Sequence, residues 1–317
     1  MNLRKFSVLV FAVLLTVGAC SPDDGNFTPA PERDRAEQQV IDNDSLLGYF
    51  QTHYYNSSTF DGSTDFTIED VVITELPKDD DGNYLPLPDP DNNTLLSNAV
   101  ETHTTSFLDV DYTYYILRLN QGSSVDDSPK FTDNIRVRYS GNLMDEDVFD
   151  SAVTPVDFDL VALIPAWNRV VTQFNPAESF EIIDGQVTYS NYGLGVMFVP
   201  SGLAYFGSPP FGVPVYSNLI FKFELLQTEE NDHDNDGIPS YLEDFDGNGG
   251  PIGDMNVFND DTDGDTNPNF TDSDDDGDGI LTINEDINND GDPTNDDTDG
   301  DGIPNYLDED STESNED

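Results

Sequence analysis

The 317-residue chain has one cysteine, Cys20, and one tryptophan, Trp167. A single thiol excludes an intramolecular disulfide, so covalent cross-links cannot hold the fold. Basic residues are scarce as well: 11 Lys and Arg stand against 65 Asp and Glu, a formal charge of -54. Such a polyanion repels nucleic acid and anionic lipid and attracts cations, so no nucleic-acid partner is expected. No Lys or Arg follows Lys222, whereas about half of the acidic residues do, which marks a boundary near residue 228. A Cys–His pair and a phosphate loop are missing too, and His53 and His103 have no neighbours at ligand spacing. After the first twenty residues no run is apolar enough to span a bilayer.

What is present begins with Arg4 and Lys5 before an apolar run from Phe6 to Val17, which is too short for a bilayer. The following Val17-Gly18-Ala19-Cys20 resembles a bacterial lipobox. The resemblance implies a signal peptide over 1–19, acylation of Cys20, and an exported lipoprotein anchored to a membrane of the cell envelope. Residues 20–44 are polar with scattered proline and read as a flexible tether. Leu46, Leu47, Phe50 and Tyr54 then share one helical face, with Asp44 or Ser45 as N-cap. A strand-like run from Asp65 and a turn-rich stretch over 78–100 complete a region, 45–109, with too little core to stand alone. It is expected to pack against the next domain.

From Tyr112 to Leu119 aromatic and β-branched residues alternate, which predicts a strand. Ile135, Val137 and Tyr139 alternate with Arg136, Arg138 and Ser140, the period of a half-buried strand. Gly141 ends that pattern, and Val148 and Phe149 follow an acidic turn. Asp150 comes next, a lone carboxylate beside large apolar groups and therefore costly to bury. Phe158, Leu163, Ile164 and Trp167 lie within a short reach. Residues 167–174 predict one short helix with Val170, Val171 and Phe174 inward and Pro176 past its end. A hairpin about Asp184-Gly185 is expected within 180–199, and Leu219 to Leu226 reads as a closing strand.

Six fragments in this order resemble the FKBP-type peptidyl-prolyl isomerases: Val137-Arg138-Tyr139-Ser140-Gly141, Phe149-Asp150-Ser151, Phe158-Asp159-Leu160, Ile164-Pro165-Ala166-Trp167, Pro200 to Tyr205, and Leu219 to Leu226. The resemblance covers residues 110–228. It implies an α+β fold, a curved antiparallel sheet wrapped on one short helix, acting on X-Pro bonds of proline-containing polypeptides as a monomer without a cofactor. Tyr139, Phe149, Phe158, Leu163, Ile164, Trp167 and Phe221 would line the proline site, with Trp167 as floor and Val213 closing a wall. Asp150 would face the twisted carbonyl, held by the Tyr139 hydroxyl, and Tyr205 would donate to the substrate carbonyl. Two departures stand out: Phe206 is inserted before Gly207, and 180–199 is longer than the family requires, expected as a lip beside the site. The alternative is a non-catalytic surface lipoprotein that binds proline segments or serves calcium-dependent adhesion.

Residues 229–317 carry three windows with acids at positions 1, 3, 5 and 12, Gly at 6 and Ile at 7. Alternating carboxylates converge on one side of such a loop, Gly permits its turn, and the last acid can bind bidentately, which is the order of a Ca²⁺ loop. The ligand sets are Asp232, Asp234, Asp236, Ile238 and Glu243; Asp274, Asp276, Asp278, Ile280 and Glu285; and Asp297, Asp299, Asp301, Ile303 and Asp308. Each isoleucine would offer its carbonyl. The degenerate runs Asp261-Asp263-Asp265 and Asp286-Asn288-Asp290 could add ions. The first and third windows resemble thrombospondin type 3 repeats, which implies bound Ca²⁺ in place of an apolar core.

Overall fold

A computed structural model describes residues 31–125, 128–245 and 255–315. The expected signal peptide, Cys20 and residues 21–30 of the expected tether lie outside the described residues. Residues 33–317 form one compact unit. Among the described residues no helix is long and apolar enough to cross a membrane.

Among the described residues there are two α-helices and eleven strands, besides short 3-10 turns. Helix α1 spans Arg35–Thr52 and α2 spans Pro165–Val171. The strands are β1 (His53–Tyr55), β2 (Ile73–Glu75), β3 (Thr94–Leu95), β4 (Glu101–Phe107), β5 (Val110–Asn120), β6 (Asn134–Asn142), β7 (Val148–Asp159), β8 (Ser179–Ile183), β9 (Gln186–Ser190), β10 (Gly193–Val199) and β11 (Leu219–Glu229). Six form one antiparallel sheet in the order β4-β5-β10-β11-β6-β7. The rest make a small three-stranded sheet and the β8–β9 hairpin.

Alternation decides which residues face which layer, because successive strand side chains point to opposite faces. Ile135, Val137 and Tyr139 of β6, with Met197 and Val199 of β10 and Phe221, Phe223 and Leu225 of β11, join one core with α2. Tyr115, Leu117, Val196, Phe198 and Ile220 point the other way, onto Leu46, Tyr49 and Phe50 of α1. The sheet is therefore covered on both sides, and every residue of β10 is buried.

This second layer corrects the expected tether and domain limits. Asp34 caps α1, its carboxylate accepting from the Glu37 N–H at 2.9 Å, so the helix starts ten residues before the expected Asp44 or Ser45 cap. Residues 35–44 are helical rather than flexible because Gln38 and Asp42 are buried partners, not solvated linker. Gln38 Nε2 donates to Asp42 Oδ1 at 2.6 Å, and Ser201 donates to Asp42 Oδ2 from its N–H at 2.8 Å and its hydroxyl at 2.6 Å. Strand β4, assigned to the extension, pairs along its whole length with β5. The strand expected from Asp65 shrinks to Ile73–Glu75, preceded by a 3-10 turn at Ile68–Asp70.

Helix α2 begins at Pro165, whose missing N–H costs nothing in a first turn, and buries Ala166 through Val171. Strand β7 pairs with β6 through a bulge: Val137 faces Val156, yet Tyr139 faces Ala152. Pro155 lies in the extra loop so formed, where its lack of an N–H disturbs no ladder.

Candidate functional site

All nine expected apolar and aromatic site residues gather in the core on the α2 side. Trp167 is the hub, with ring centroids 5.5 Å from Phe221, 5.7 Å from Tyr139 and 6.2 Å from Phe158. Phe149 meets Phe221 edge-on at 5.6 Å. Tyr139, Trp167, Val213 and Phe221 are buried, while Phe149, Phe158, Leu163, Ile164 and Tyr205 are half-buried. The cluster thus has a sealed floor and an apolar rim that water can reach.

The tenth residue is tied to this cluster. Tyr139 Oη donates to Asp150 Oδ2 at 2.6 Å, across the β6–β7 pair that sets Gly141 opposite Asp150. Asp150 itself is exposed, which corrects the expectation of a carboxylate costly to bury. Burial, then the hydrogen bond to Asp150, pushes the Tyr139 phenol well above its ordinary value. Burial and the Asp150 charge do the same for Tyr205. Both phenols therefore stay protonated donors throughout the neutral range.

Gly141 makes the aromatic contact possible. A Cβ there would stand 2.8 Å from Phe149 Cζ and 2.8 Å from Phe221 Cε1. Gly141→Ala is expected to tilt both rings at a cost of about 1–3 kcal/mol. A thermal melt would show this as a lowered midpoint, and an unchanged midpoint would mean the rings are free to move.

Inserted Phe206 does not disturb Tyr205. It turns away at φ 47 and is buried, its ring 4.9 Å from Tyr216 with the Arg35 guanidinium 4.1 Å above it. Sequence reasoning missed this support: Arg35 and Asp42 both hold the 201–206 loop from α1, inside a segment whose composition signals a linker. The hairpin departs from expectation as well. β8–β9 rests its Tyr189 with Tyr192 on Leu226 and borders a cleft of about 680 Å³ that none of the ten site residues lines. It is not a lip of the aromatic site, because its anchor is the far end of β11.

The acidic repeats follow the sequence pattern with three corrections. Potential ligand atoms of Asp274, Asp276 and Asp278, of Asp297, Asp299 and Asp301, and of Asp261, Asp263 and Asp265 lie within 4.8 Å in each group. The Ile238, Ile280 and Ile303 N–H groups donate to Asp236, Asp278 and Asp301 at 2.8, 2.6 and 2.8 Å, so the loops share one turn. The first group is Asp234, Asp236, Glu243 and Asp275, without Asp232. Asp232 accepts from the N–H groups of Asn235 and Gly237, as Asp297 does from those of Gly300 and Gly302. Asp308 is outside the Asp297 group, and its charge acts on Asp276 and Glu285 of the preceding loop. Asp286 accepts from the Asp290 and Gly291 N–H groups in the same way. Glu285 is outside the Asp274 group; it is fully buried, and neither of its carboxylate oxygens has a hydrogen-bond partner. Burial, then neighbouring carboxylates, pushes Glu243 up to about 10 and Glu285 up to about 9; burial likewise raises Asp236 to about 7.

The repeats lean on the sheet domain. His233 Nε2 lies 3.3 Å from Asp159 Oδ2, and Met255, Val257 and Phe258 line a hollow of about 150 Å³ with Phe107, Leu163 and Pro165.

Sheet, helix and aromatic hub together define an α+β protein with an apolar, single-carboxylate site. In comparisons with known proteins the chain is 31% identical over 113 residues to the FKBP-type 22 kDa peptidyl-prolyl cis-trans isomerase of Escherichia coli, covering 34% of this chain and 47% of that protein. It is 31% identical over 107 residues to the outer membrane protein MIP of Legionella longbeachae, covering 32% and 39%. The crystal structure of FkpA from Escherichia coli is similar at 25% identity and a TM-score of 0.32, covering 41% of this chain and 52% of that one. A family model described as BamM C-terminal matches residues 233–292, within the acidic repeats. The chain spans less than half the length of the curated relatives it matches.

Proposed function

We propose that residues 110–228, held by the layers around them, are a peptidyl-prolyl cis-trans isomerase acting on X-Pro bonds of exported polypeptides. The observation that carries this reading is the Tyr139–Asp150 hydrogen bond at 2.6 Å beside the Trp167-centred rings. Its support from relatives is similarity over about a third of this chain.

The chemistry asks for little. Amide resonance raises a rotation barrier of ~18–20 kcal/mol, and an X-Pro bond turns over tens to hundreds of seconds. Twisting the bond abolishes the charge-separated resonance form, so a dry apolar site favours the twisted amide over the planar one. Trp167, with Phe149, Phe158, Leu163, Ile164, Phe221 and Tyr139 around it, takes the proline ring, and Val213 closes a wall. Tyr205 donates to the substrate carbonyl. Asp150, oriented by Tyr139, faces the twisting carbonyl carbon. No proton is transferred and no covalent bond changes.

The acidic repeats, in this reading, bind Ca²⁺ through carboxylates and the Ile238, Ile280 and Ile303 carbonyls. All-oxygen donors suit a hard cation. Cys20 carries the lipid anchor to an envelope membrane; the Val17-Gly18-Ala19-Cys20 sequence supports this.

A protease-coupled assay on Ala-Xaa-Pro-Phe peptides tests the activity. Asp150→Ala is expected to lower kcat/KM about tenfold or more, roughly 1.4 kcal/mol per decade, without unfolding the domain, because Asp150 is exposed and only the Tyr139 hydroxyl loses its acceptor. The wild-type rate is expected to stay flat from about pH 6 to pH 9, since both tyrosines remain protonated there. Wild-type turnover equal to the uncatalysed rate would leave only a proline-segment binder.

A further inference from the structure

Asp275 stands second in its own loop, a position the Ca²⁺ pattern leaves without a ligand role. Its carboxylate nevertheless belongs to the first loop. Ligand atoms of Asp234, Asp236, Glu243 and Asp275 all lie within 4.8 Å of one another. Glu243 is 0% exposed and Asp275 1%, and all four of their carboxylate oxygens lack a hydrogen-bond partner. Asp236 Oδ2 and Asp234 Oδ2 are buried and unpartnered beside them.

Two buried acids aimed at two others, with no donor between them, require a cation: burying unpaired carboxylates is prohibitive. No Lys or Arg lies within the repeats to supply one. Every donor is a hard oxygen, which excludes a thiolate or imidazole metal. Mg²⁺ keeps several waters in a strict octahedron, whereas Ca²⁺ accepts a crowd of carboxylates in variable geometry, so four enclosed carboxylates suit Ca²⁺.

The register explains how Asp275 arrives there. Its N–H points to Thr282 Oγ1 at 3.4 Å, just as the His233 N–H donates to Ser240 Oγ at 3.1 Å in the first loop. The same second-to-ninth link recurs at Thr262 to Asn269 and Thr298 to Asn305, each at 2.9 Å. The link fixes the backbone at position two, and in the second loop the side chain from that position reaches the carboxylates of the first. At that position the first loop has His233, and the remaining linked loops have Thr262 and Thr298. Of these four residues, Asp275 alone carries a carboxylate.

We propose that Asp275 is the closing ligand of a composite Ca²⁺ site shared by the first and second loops, so that one ion staples residues 234–243 to the loop that follows. This rests on the calcium reading of the repeats and deepens it: the loops do not order independently, and the ion in the first loop is also a tether for the second.

Hydrogen–deuterium exchange on the full chain, with EDTA and then CaCl₂, tests it, alongside calorimetric Ca²⁺ titration. In the wild type, Ca²⁺ is expected to slow exchange across both 232–243 and 274–285. In Asp275→Asn, protection of 232–243 is expected to vanish and the titration to lose tenfold or more in the affinity of one site. Asp234→Asn is the reciprocal variant, and it is expected to loosen 274–285. Residues 297–308 should stay protected in both variants, which shows that the chain is folded. If Ca²⁺ protects 232–243 equally in Asp275→Asn, sharing is wrong while calcium binding stands. If Ca²⁺ alters neither segment in the wild type, the calcium reading falls and this inference falls with it.

Discussion

Chelating Ca²⁺ at pH 8 is expected to dissolve the acidic repeats while the six-stranded sheet stays intact. The repeats have little apolar core to fall back on: Ile238, Val257, Phe270 and Tyr306 are their buried large apolar residues among those described. Against that, Asp236, Glu243, Asp275, Asp276 and Glu285 are buried acids. Without the metal, burial and mutual repulsion raise their carboxyl pKa values, to about 7 for Asp236 and about 10 for Glu243. The compact metal-free form therefore binds more protons than the unfolded one, and its stability falls as pH rises from the ordinary carboxylate range near 4 toward 7–10. In EDTA the repeats should hold their shape near pH 4 and lose it by pH 8, whereas with millimolar Ca²⁺ they should be ordered at pH 8. Circular dichroism and small-angle scattering would record this as a calcium-dependent gain of structure and a smaller radius. A metal-free protein at pH 8 indistinguishable from the calcium form would overturn the assignment.

The second large effect concerns the borders of the sheet domain. A fragment of residues 110–228 is expected not to fold, while residues 33–229 should. Cutting at 110 removes β4 and strips α1 from one face of the sheet, leaving Tyr115, Leu117, Val196, Phe198 and Ile220 in water. Each such side chain is worth about 1.5–3 kcal/mol when buried. Five of them amount to about 10 kcal/mol, comparable with the whole stability of a domain at about 5–15 kcal/mol. The Ser201 N–H and hydroxyl would also lose Asp42. Sharp, cooperative unfolding of the 110–228 fragment in urea would show that α1 is dispensable.

Both expectations turn on what the residue pattern revealed and what it hid. β6 was legible because Ile135, Val137 and Tyr139 alternate with polar residues, and the aromatic hub because its members recur at family spacing. The second face was not. In β10, GLGVMFV is apolar on both sides, so it announces burial without saying what covers it. Its cover, α1, begins among Arg35, Glu37 and Gln38, whose polarity suggests solvent. Only the contacts of Arg35 with Tyr112 and Phe206, and of Asp42 with Ser201, make this segment structural. In the repeats, spacing located the loops but not Asp275, because a ligand donated across loops obeys three-dimensional proximity rather than periodicity.

The strand order sets the tempo of folding. β5 finds β10 some 75 residues later, and β6 finds β11 after a comparable wait, so nearly every rung of the central ladder closes a long loop. β11 is the last of the six to emerge, yet it sits between β10 and β6, and neither can complete its pairing until residue 229 has appeared. Until then β10, a seven-residue, uncharged, wholly apolar segment, has β5 on one side and a bare edge on the other, the kind of sequence that seeds aggregates. Anything that delays β11 therefore prolongs the exposure of this strand, and the hazard passes only when the final rung is in place.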